Sequence, residues 1–454
     1  MGLSFFIQCA CLVSFLVSLT QVQARRRVFD VTGYGARADR RTDNSKALIY
    51  AWNGACQNNG GGMVLFPGGT YVVAPVVLQG PCKGPMELRI QGTLEASNVL
   101  KDFINNDHWI TIQYVDRLRI GGGGTLDGLG ADGWNYNDCQ QNPGRCKQLP
   151  ATLRLDFVTN AIVEYIASIN SKNTHINLFA CQNLLIRNVK ISAPADSPNT
   201  DGIHIGGSQN VYVMDSQIST GDDCISVLPG SKNITVTGVQ CGSGHGISIG
   251  SLGRSAGDYV SDLYVRHCRF VSTDNGVRIK TWSVDSQPGT VSHVAFEHLE
   301  MVNVNNPIII DQEYCPSGGC TGQESSKVQI SDIKFNDIRG ISNTRNAVTL
   351  KCSRSTPCQN VELRDIDLTY RGPGAAVSLC FNVEGRAYGV QNPPSNMKTP
   401  GVAPYDEIED ANEEGTQGRS YGIQNPSSNL KTVQVFPNHE IEDARVQQFS
   451  ELMY

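Results

Sequence analysis

Four short polar clusters recur between residues 199 and 280, and their spacing limits the folds open to this chain. The clusters are Asn199-Thr200-Asp201-Gly202, Gly221-Asp222-Asp223-Cys224, Gly244-His245-Gly246 and Arg278-Ile279-Lys280. Asp201 precedes Asp222 by 21 residues, and Asp223 precedes His245 by 22. Short β-branched runs such as Val211-Tyr212-Val213 lie between them. A repeat of this length is typical of one solenoid coil, which packs only on its neighbours. The pattern predicts a β-solenoid.

Stacked coils would bring the four clusters to one face, with rungs about 4.8 Å apart. Residues i and i+2 of a strand share a face. Arg278 and Lys280 are therefore expected to point the same way, as are Asn199 and Asp201. The adjacent Asp222 and Asp223 would point oppositely in a regular strand. They can face one cleft only if the backbone bends, as a glycine before them would permit.

The residue types in these clusters predict a hydrolytic site for an anionic sugar. Carboxylates held close together acquire different pKa values, so one can donate a proton while another stays ionised. Glycoside hydrolysis needs such a pair. Arginine and lysine beside them suit a substrate that carries carboxylates. Any single cluster could equally be a turn, but four at coil spacing favour a site.

In order and spacing, the four clusters resemble the signature of plant polygalacturonases, the pectin-hydrolysing enzymes of glycoside hydrolase family 28. Other stretches resemble the same family: Val28 to Ala36, Ala51-Trp52 with Ala55-Cys56, Gly80-Pro81-Cys82, Gly124 to Gly128, and Asn306 to Cys315. The likeness runs from about Val28 to about Val383. It implies an all-β chain folded as a single-stranded, right-handed parallel β-helix.

The resemblance also implies a role for each site residue. Asp222 would be the general acid, and Asp201 and Asp223 would hold and activate water. His245 would tune the acid or bind substrate. The substrate contacts implied or expected at the site are Asn199, Arg278, Lys280 and Tyr314. Inversion of configuration would follow, with acid and base carboxyls roughly 6.5–9.5 Å apart. We expect no cofactor and no metal.

The stretches Ser171 to Asn177 and Asp311 to Pro316 most resemble pollen-type exopolygalacturonases, so we expect cleavage from chain ends. Four alternatives stay open: an endo-acting polygalacturonase, a rhamnogalacturonan hydrolase, a calcium-dependent pectate lyase, and a wall-binding protein without catalysis. His175, His204 and His267 belong to no motif and are interpreted as coil residues.

The N-terminal region predicts export and a cap. Residues 1–24 carry no charge and include an apolar run, which is typical of a signal peptide. The mature protein is then expected outside the cell, with no membrane anchor. Ser45 to Cys56 has the apolar spacing of a short amphipathic helix, which could cover the open end of the solenoid. We predict the β-helix domain over 25–384.

Thirteen of the fifteen cysteines follow the signal segment, and many should pair in an oxidising compartment. Close spacing makes three pairs candidates for local bridges: Cys139 with Cys146, Cys315 with Cys320, and Cys352 with Cys358. The family resemblance supports Cys224 with Cys241. The odd number leaves at least one free thiol.

Asn183, Asn210 and Asn233 each precede an apolar run and could stack as a ladder. Asn233-Ile234-Thr235 is also the chain's only glycosylation sequon, so glycan and ladder are alternatives there.

The C-terminal region, 385–454, differs from the rest and contains an imperfect tandem repeat. It carries ten acidic and five basic residues, most of the chain's net charge of −6. We predict a flexible acidic extension. No basic surface for nucleic acid is present. The expected partner is polygalacturonate, and we expect a monomer.

Overall fold

Parallel strands make up most of the chain in the computed structural model, which describes residues 27–103, 106, 108–137, 149–316, 318, 320 and 325–397. The signal segment and residues 398–454 lie outside this range, as does the Cys139–Cys146 candidate. Within the described residues there are two α-helices, α1 at Ser45–Gln57 and α2 at Ala131–Trp134. Two short 3₁₀ turns lie at Val31–Tyr34 and Leu100–Asp102.

One face of the solenoid is a sheet of eleven parallel strands, called here the front sheet. Its strands are β5 (Val76–Gln79), β8 (His108–Gln113), β11 (Ala151–Asp156), β14 (Ile176–Phe179), β17 (Ile203–Gly206), β20 (Ile225–Val227), β23 (Ile247–Leu252), β26 (Asn275–Trp282), β28 (Asn306–Tyr314), β30 (Asn346–Lys351) and β32 (Val377–Phe381). Each strand between β5 and β32 pairs with the strand one coil earlier and the strand one coil later.

The remaining strands form the back of the solenoid. They are β1 (Val28–Asp30), β2 (Asp39–Asp43), β3 (Gly62–Phe66), β4 (Thr70–Val73), β6 (Met86–Ile90), β7 (Thr93–Ala96), β9 (Asp116–Gly121), β10 (Thr125–Asp127), β12 (Thr159–Glu164), β13 (Ala167–Ile169), β15 (Gln182–Arg187), β16 (Lys190–Ser192), β18 (Gln209–Met214), β19 (Gln217–Ser219), β21 (Ser231–Thr237), β22 (Gln240–Gly242), β24 (Asp258–Arg266), β25 (Arg269–Val271), β27 (Gly289–Val304), β29 (Val328–Ser342), β31 (Cys358–Tyr370) and β33 (Val383–Asn392). They form two sets, which β27 joins by pairing with both β24 and β25. The predicted parallel β-helix is confirmed.

Apolar side chains at equivalent positions of successive coils stack on one another and fix the register between coils. On the front sheet Ile203 lies beside Ile225, Ile225 beside Ile247, and Ile247 beside Val277. All four side chains are fully buried. Burying one such side chain stabilises the fold by about 1.5–3 kcal/mol. A slip of one residue would turn the whole stack outward, so the register is strongly determined.

Helix α1 confirms the predicted N-terminal cap. Its buried residues form one stripe: Ala47, Leu48, Ala51, Trp52, Ala55 and Cys56. The helix packs against β1, β3 and β5, which belong to the first coils. The Trp52 indole N–H donates to the Gln79 carbonyl at 3.2 Å. The stripe thereby covers apolar and polar groups that the first coil would otherwise expose.

The asparagine ladder is also confirmed. The Asn233 amide donates to Asn210 at 2.6 Å, Asn210 donates to Asn183 at 2.9 Å, and Asn183 donates to Asn160 at 3.0 Å. All four residues have φ between 54° and 59°, a left-handed conformation that asparagine tolerates better than most residues. The ladder therefore marks a corner where each coil turns. Glycosylation of Asn233 stays a prediction.

Disulfides close four loops in the described part of the chain. The predicted pairs Cys224–Cys241, Cys315–Cys320 and Cys352–Cys358 are all present. Cys56–Cys82, which was not predicted, joins the end of α1 to the loop after β5. Cys181, Cys268 and Cys380 are free thiols, in agreement with the expected unpaired cysteine.

The last coil extends past the predicted domain boundary at residue 384. Strand β33 runs to Asn392 and pairs in parallel with β31. Its inward positions are Val383, Gly385 and Ala387, and two of these residues are too small to give a visible apolar alternation. A side chain at Gly385 would collide with the Val361 carbonyl. None of the helices in the described ranges is long and apolar enough to cross a membrane.

Candidate active site

The solenoid places the predicted acids and the imidazole in one column. Asp201, Asp223 and His245 each lie two residues before a strand of the front sheet, at β17, β20 and β23. Because the first residues of these strands are register partners, the three side chains occupy the same position on successive coils. Residues 22 positions apart in sequence are thus neighbours, as the coil repeat predicted.

Asp222 joins this column because the backbone bends before it. Gly221 lies so close to the preceding coil that a Cβ would come within 2.1 Å of the Ser197 carbonyl oxygen. One carboxylate oxygen each of Asp222 and Asp223 and a ring nitrogen of His245 lie within 4.8 Å of one another. The bend expected at this glycine therefore brings both carboxylates together. Their separation is shorter than the 6.5–9.5 Å expected for an inverting acid–base pair.

Asp223 is the most deeply buried of the three acids, with 2% of its side chain exposed. Lys280 donates to its Oδ2 at 2.8 Å, while Arg278 and Ser248 donate to its Oδ1 at 3.1 and 2.6 Å. Burial alone would raise the pKa of Asp223, but the charges of Lys280 and Arg278 outweigh it and hold the pKa at about 2. Asp223 is therefore ionised at any ordinary pH.

Asp222 is more accessible and has a histidine as its charged neighbour. Its side chain is 20% exposed, and its Oδ1 lies 2.9 Å from His245 Nδ1. The Asp223 backbone N–H also donates to this oxygen at 2.7 Å. The other ring nitrogen of His245 is 3.6 Å from Asp274. The hydrogen bond to Asp222 raises the pKa of His245 above its usual value. The imidazole thus lies between the partly buried Asp222 and the exposed Asp274.

Asp201 is bonded to a histidine that belongs to none of the sequence motifs. His204 Nε2 lies 2.7 Å from Asp201 Oδ2, so the interpretation of His204 as a plain coil residue is wrong. The apolar alternation of β17 could have indicated this contact, because Ile203 and Ile205 are both fully buried. His204 between them must face outward, on the side of the cleft.

The predicted shared face of Asn199 and Asp201 is not a strand face. Asn199 lies in a turn, with a φ of 54°. Its amide nitrogen donates to the Asn137 carbonyl at 2.6 Å. The alternation rule failed because it applies only to extended backbone. By contrast, Arg278 and Lys280 lie on β26 and share a face as expected.

Aromatic and cationic side chains, called here the aromatic wall, extend from Lys280 along the C-terminal ends of β26 and β28. The Lys280 ammonium lies 5.5 Å from the Tyr314 ring centre, and Tyr314 meets Trp282 edge to face at 5.0 Å. The Arg254 guanidinium lies over Trp282, 3.6 Å from its centre. Arg254 makes no ion pair with a carboxylate of the described residues. Trp282 and Arg254 were missed because neither belongs to a polar cluster.

The group Asp222, Asp223 and His245 is also the arrangement that could hold a metal ion. Both oxygens of Asp223 already accept bonds from cationic side chains. A bound metal would be repelled by the positive charges of Lys280 and Arg278, which already bond to this carboxylate. The donor set therefore fits acid–base chemistry better than a metal site.

Comparisons with known proteins agree with this geometry. The family model "Glycosyl hydrolases family 28" matches residues 56–391. An exopolygalacturonase of Platanus acerifolia is 45% identical over 375 residues, which cover 82% of this chain and 98% of that protein. A polygalacturonase of Gossypium barbadense is 44% identical over 384 residues, covering 84% of this chain and 93% of that protein.

Among solved structures, the endo-xylogalacturonan hydrolase of Aspergillus tubingensis superposes with a TM-score of 0.69 at 25% identity. The match covers 78% of this chain and 96% of that chain. The family model spans more than half of the sequence, and the carboxylates meet where the coil repeat predicted. The chain is thus a member of glycosyl hydrolase family 28.

Proposed function

We propose that the protein is a polygalacturonase that hydrolyses α-1,4-linked galacturonan with inversion and from chain ends. The observation that carries this proposal is the group Asp201, Asp222 and Asp223. Each of these carboxylates has a different basic partner, and among those partners only Lys280, which bonds to Asp223, is a permanent cation. Such a group can hold a proton donor beside ionised acceptors. The activities of the exopolygalacturonase and the polygalacturonase described above support the substrate class.

Asp222 is the proton donor in this mechanism, since neither Arg278 nor Lys280 bonds to it. Its proton passes to the glycosidic oxygen as the bond from that oxygen to the anomeric carbon breaks. Asp201 and Asp223 hold a water whose oxygen attacks the anomeric carbon from the opposite face. The water's second proton passes to one of these two carboxylates. His245 remains bonded to Asp222 and supports its orientation.

The short distance between Asp222 and Asp223 raises the alternative of a covalent intermediate, as in retaining enzymes. Asp223 is poorly suited to attack a sugar, because cationic side chains bond to both of its oxygens and make the carboxylate a weak nucleophile. Water attack is therefore favoured. Proton NMR of the first product formed would decide: an α linkage cleaved with inversion releases the β anomer, and release of the α anomer would contradict the mechanism.

Substrate recognition rests on the cations and on the aromatic wall. Arg278 and Lys280 lie at the cleft floor, where a galacturonate carboxylate could share them with Asp223. Tyr314 can pack against the sugar ring or hydrogen-bond to it. Asn199 donates to the Asn137 carbonyl in the connection between β10 and β11, and so supports the cleft from its edge.

A long connection supports the exo mode. The connection between β10 and β11 covers residues 128–150, whereas 220–224 join β19 to β20. Trp134 donates to the Ser171 carbonyl at 2.9 Å, and Asn137 donates to the Pro198 carbonyl at 3.1 Å. The described part of this connection is thus held close to Asp201. A cleft closed at this end would admit only a chain terminus.

The deciding experiment follows products over time from a defined galacturonate oligomer, with and without chelator. Monomer released from the start, without unsaturated ends, would support an exo hydrolase. A spread of middle-sized oligomers would overturn the exo mode. Unsaturated, ultraviolet-absorbing products that vanish with chelator would favour a pectate lyase instead. Turnover of rhamnogalacturonan alone, or binding without turnover, would overturn the proposed activity.

Arg254→Gln is expected to raise KM for the oligomer about tenfold while kcat changes little, because the bond between Arg254 and one carboxylate of the substrate is lost. Steady-state kinetics measure this. Arg364→Gln is the matched control, since Arg364 also lies over an aromatic ring, that of Tyr388 at 5.8 Å from its centre, but on the back of the solenoid. An equal effect in both variants, or none in Arg254→Gln, would exclude Arg254 from substrate binding.

The cellular setting follows from the same proposal. The disulfides fit an oxidising compartment, and pectin is a wall polymer. We place the protein outside the cell, in the wall, as a monomer. Mass spectrometry of the exported protein would test cleavage after residue 24 and the state of the acidic C-terminal region.

A further inference from the structure

The three carboxylates of the cleft differ in how their partners respond to pH. Asp223 is paired with arginine and lysine, which keep their charge throughout the physiological range. Asp222 and Asp201 are paired with histidines, whose charge changes near neutrality. The mechanism above gives a role to His245, but it leaves the second histidine, His204, without one.

His204 is held in place by the strand that carries it. It is the second residue of β17, between two buried isoleucines. Its Nε2 lies 2.7 Å from Asp201 Oδ2, and its Nδ1 is 3.5 Å from the Thr174 hydroxyl. The two side chains of the pair are 24% and 9% exposed. Water therefore screens this interaction much less than it screens a surface ion pair.

Carboxylates dominate the surroundings of His204. Its neighbours in register are Asn177 on β14 and Ser226 on β20, which carry no charge. The charged groups that act on it are Asp201, Asp223 and Asp222. Burial would lower the pKa of His204, but the charge and hydrogen bond of Asp201 outweigh it and raise the pKa. For Asp201, burial and the neighbouring carboxylates raise the pKa above its usual value, and the charge and hydrogen bond of His204 limit this rise.

We propose that His204 is a positioning residue that keeps Asp201 ionised and correctly oriented, so that Asp201 can accept the proton of the attacking water. This inference rests on the proposed hydrolysis. Without a cationic neighbour, a carboxylate buried beside two others would take up a proton and could no longer act as a base. The cation is supplied by a residue three positions along the same chain segment.

His204→Gln tests the role of the charge, because glutamine retains a hydrogen-bond donor but cannot carry a proton. The acidic limb of the kcat/KM profile against pH is expected to move up by about one unit, since Asp201 then stays protonated to a higher pH. His298→Gln is the matched control: His298 also bonds an aspartate, Asp337, at 2.7 Å, but on the back of the solenoid. Its profile should equal that of the wild type.

An acidic limb that does not move in His204→Gln would overturn the proposal, whether or not overall activity falls. His204→Ala separates charge from orientation, because it removes both. The same shift of the limb in both variants, with a lower kcat only in His204→Ala, would support both parts of the role. A limb that moves only in His204→Ala would overturn the role of the charge.

A second measurement needs no substrate and no His204 variant. Titration of the histidine ring protons by NMR should give His204 a pKa above the usual 6.5 in the wild type, and a lower one in Asp201→Asn. A pKa at or below the usual value in the wild type would overturn the pairing. Inactivity of the protein on galacturonan would overturn the proposed function. The titration would still show whether His204 is protonated beside Asp201.

Discussion

Replacing Asp222 by asparagine is expected to lower kcat on a galacturonate oligomer by about 10²–10⁴-fold, the contribution of a general acid. Asparagine has nearly the same shape and can still bond to His245, but it has no acidic proton for the leaving oxygen. KM should change little, because Arg278 and Lys280 are untouched. Initial rates at saturating substrate, with the products resolved, measure the effect.

Asp274→Asn is the matched control for this prediction. Asp274 contacts the other ring nitrogen of His245 at 3.6 Å, but its side chain is 58% exposed and lies farther from the column of acids. A loss of only a few-fold is expected. If Asp222→Asn kept a tenth or more of the wild-type kcat, Asp222 could not be the acid, and Asp201 would become the next candidate.

Lys280→Gln is expected to lower the free energy of unfolding by roughly 3 kcal/mol at neutral pH, because it leaves a buried carboxylate short of one cation. Adding Asp223→Asn to this variant should recover much of the loss, since the uncompensated charge is then gone. Urea denaturation of the two variants measures both effects. Lys232→Gln is the control: its pair with Asp262 spans 3.9 Å and its side chain is 56% exposed, so about 0–1 kcal/mol is expected.

The stabilising effect of Asp223 should depend on pH in a definite direction. Its pKa in the folded protein, about 2, lies below the ordinary 3.8. Its ionisation therefore stabilises the fold fully above about pH 4, and this contribution is lost as the pH falls towards 2. The stability gap between wild type and Lys280→Gln should close over that range. A gap independent of pH, or no recovery in the double variant, would argue against the buried pair.

Much of the site could be predicted from the sequence, because a solenoid converts sequence spacing into proximity. Asp201, Asp223 and His245 meet since each precedes a front strand by two residues. The bend at Gly221 could be foreseen for a similar reason: two adjacent carboxylates cannot share a cleft on regular backbone. The asparagine ladder followed from the repeat, and two of the disulfides followed from close spacing; Cys224–Cys241 was expected from the family resemblance.

Other contacts could be identified only from the folded structure, because they join residues whose separation in sequence does not follow the coil repeat. Arg254 reaches Trp282 from a connection between strands, and Cys56 meets Cys82 from a helix outside the repeat. Asn199 was assigned to a strand face but lies in a turn. The last strand was missed since glycine and alanine occupy inward positions where larger apolar residues usually signal a coil.

The sequence by itself determined the β-helix, the face on which the polar clusters gather and the identity of the central acids, because apolar alternation and coil length act locally and repeat. Only the tertiary structure decided which cation serves which carboxylate. That pairing depends on distances of 3 Å or less between side chains on different coils or around one turn, such as Lys280 with Asp223 and His204 with Asp201. In the proposed mechanism, those pairings separate Asp223, which stays ionised, from Asp222, the proton donor.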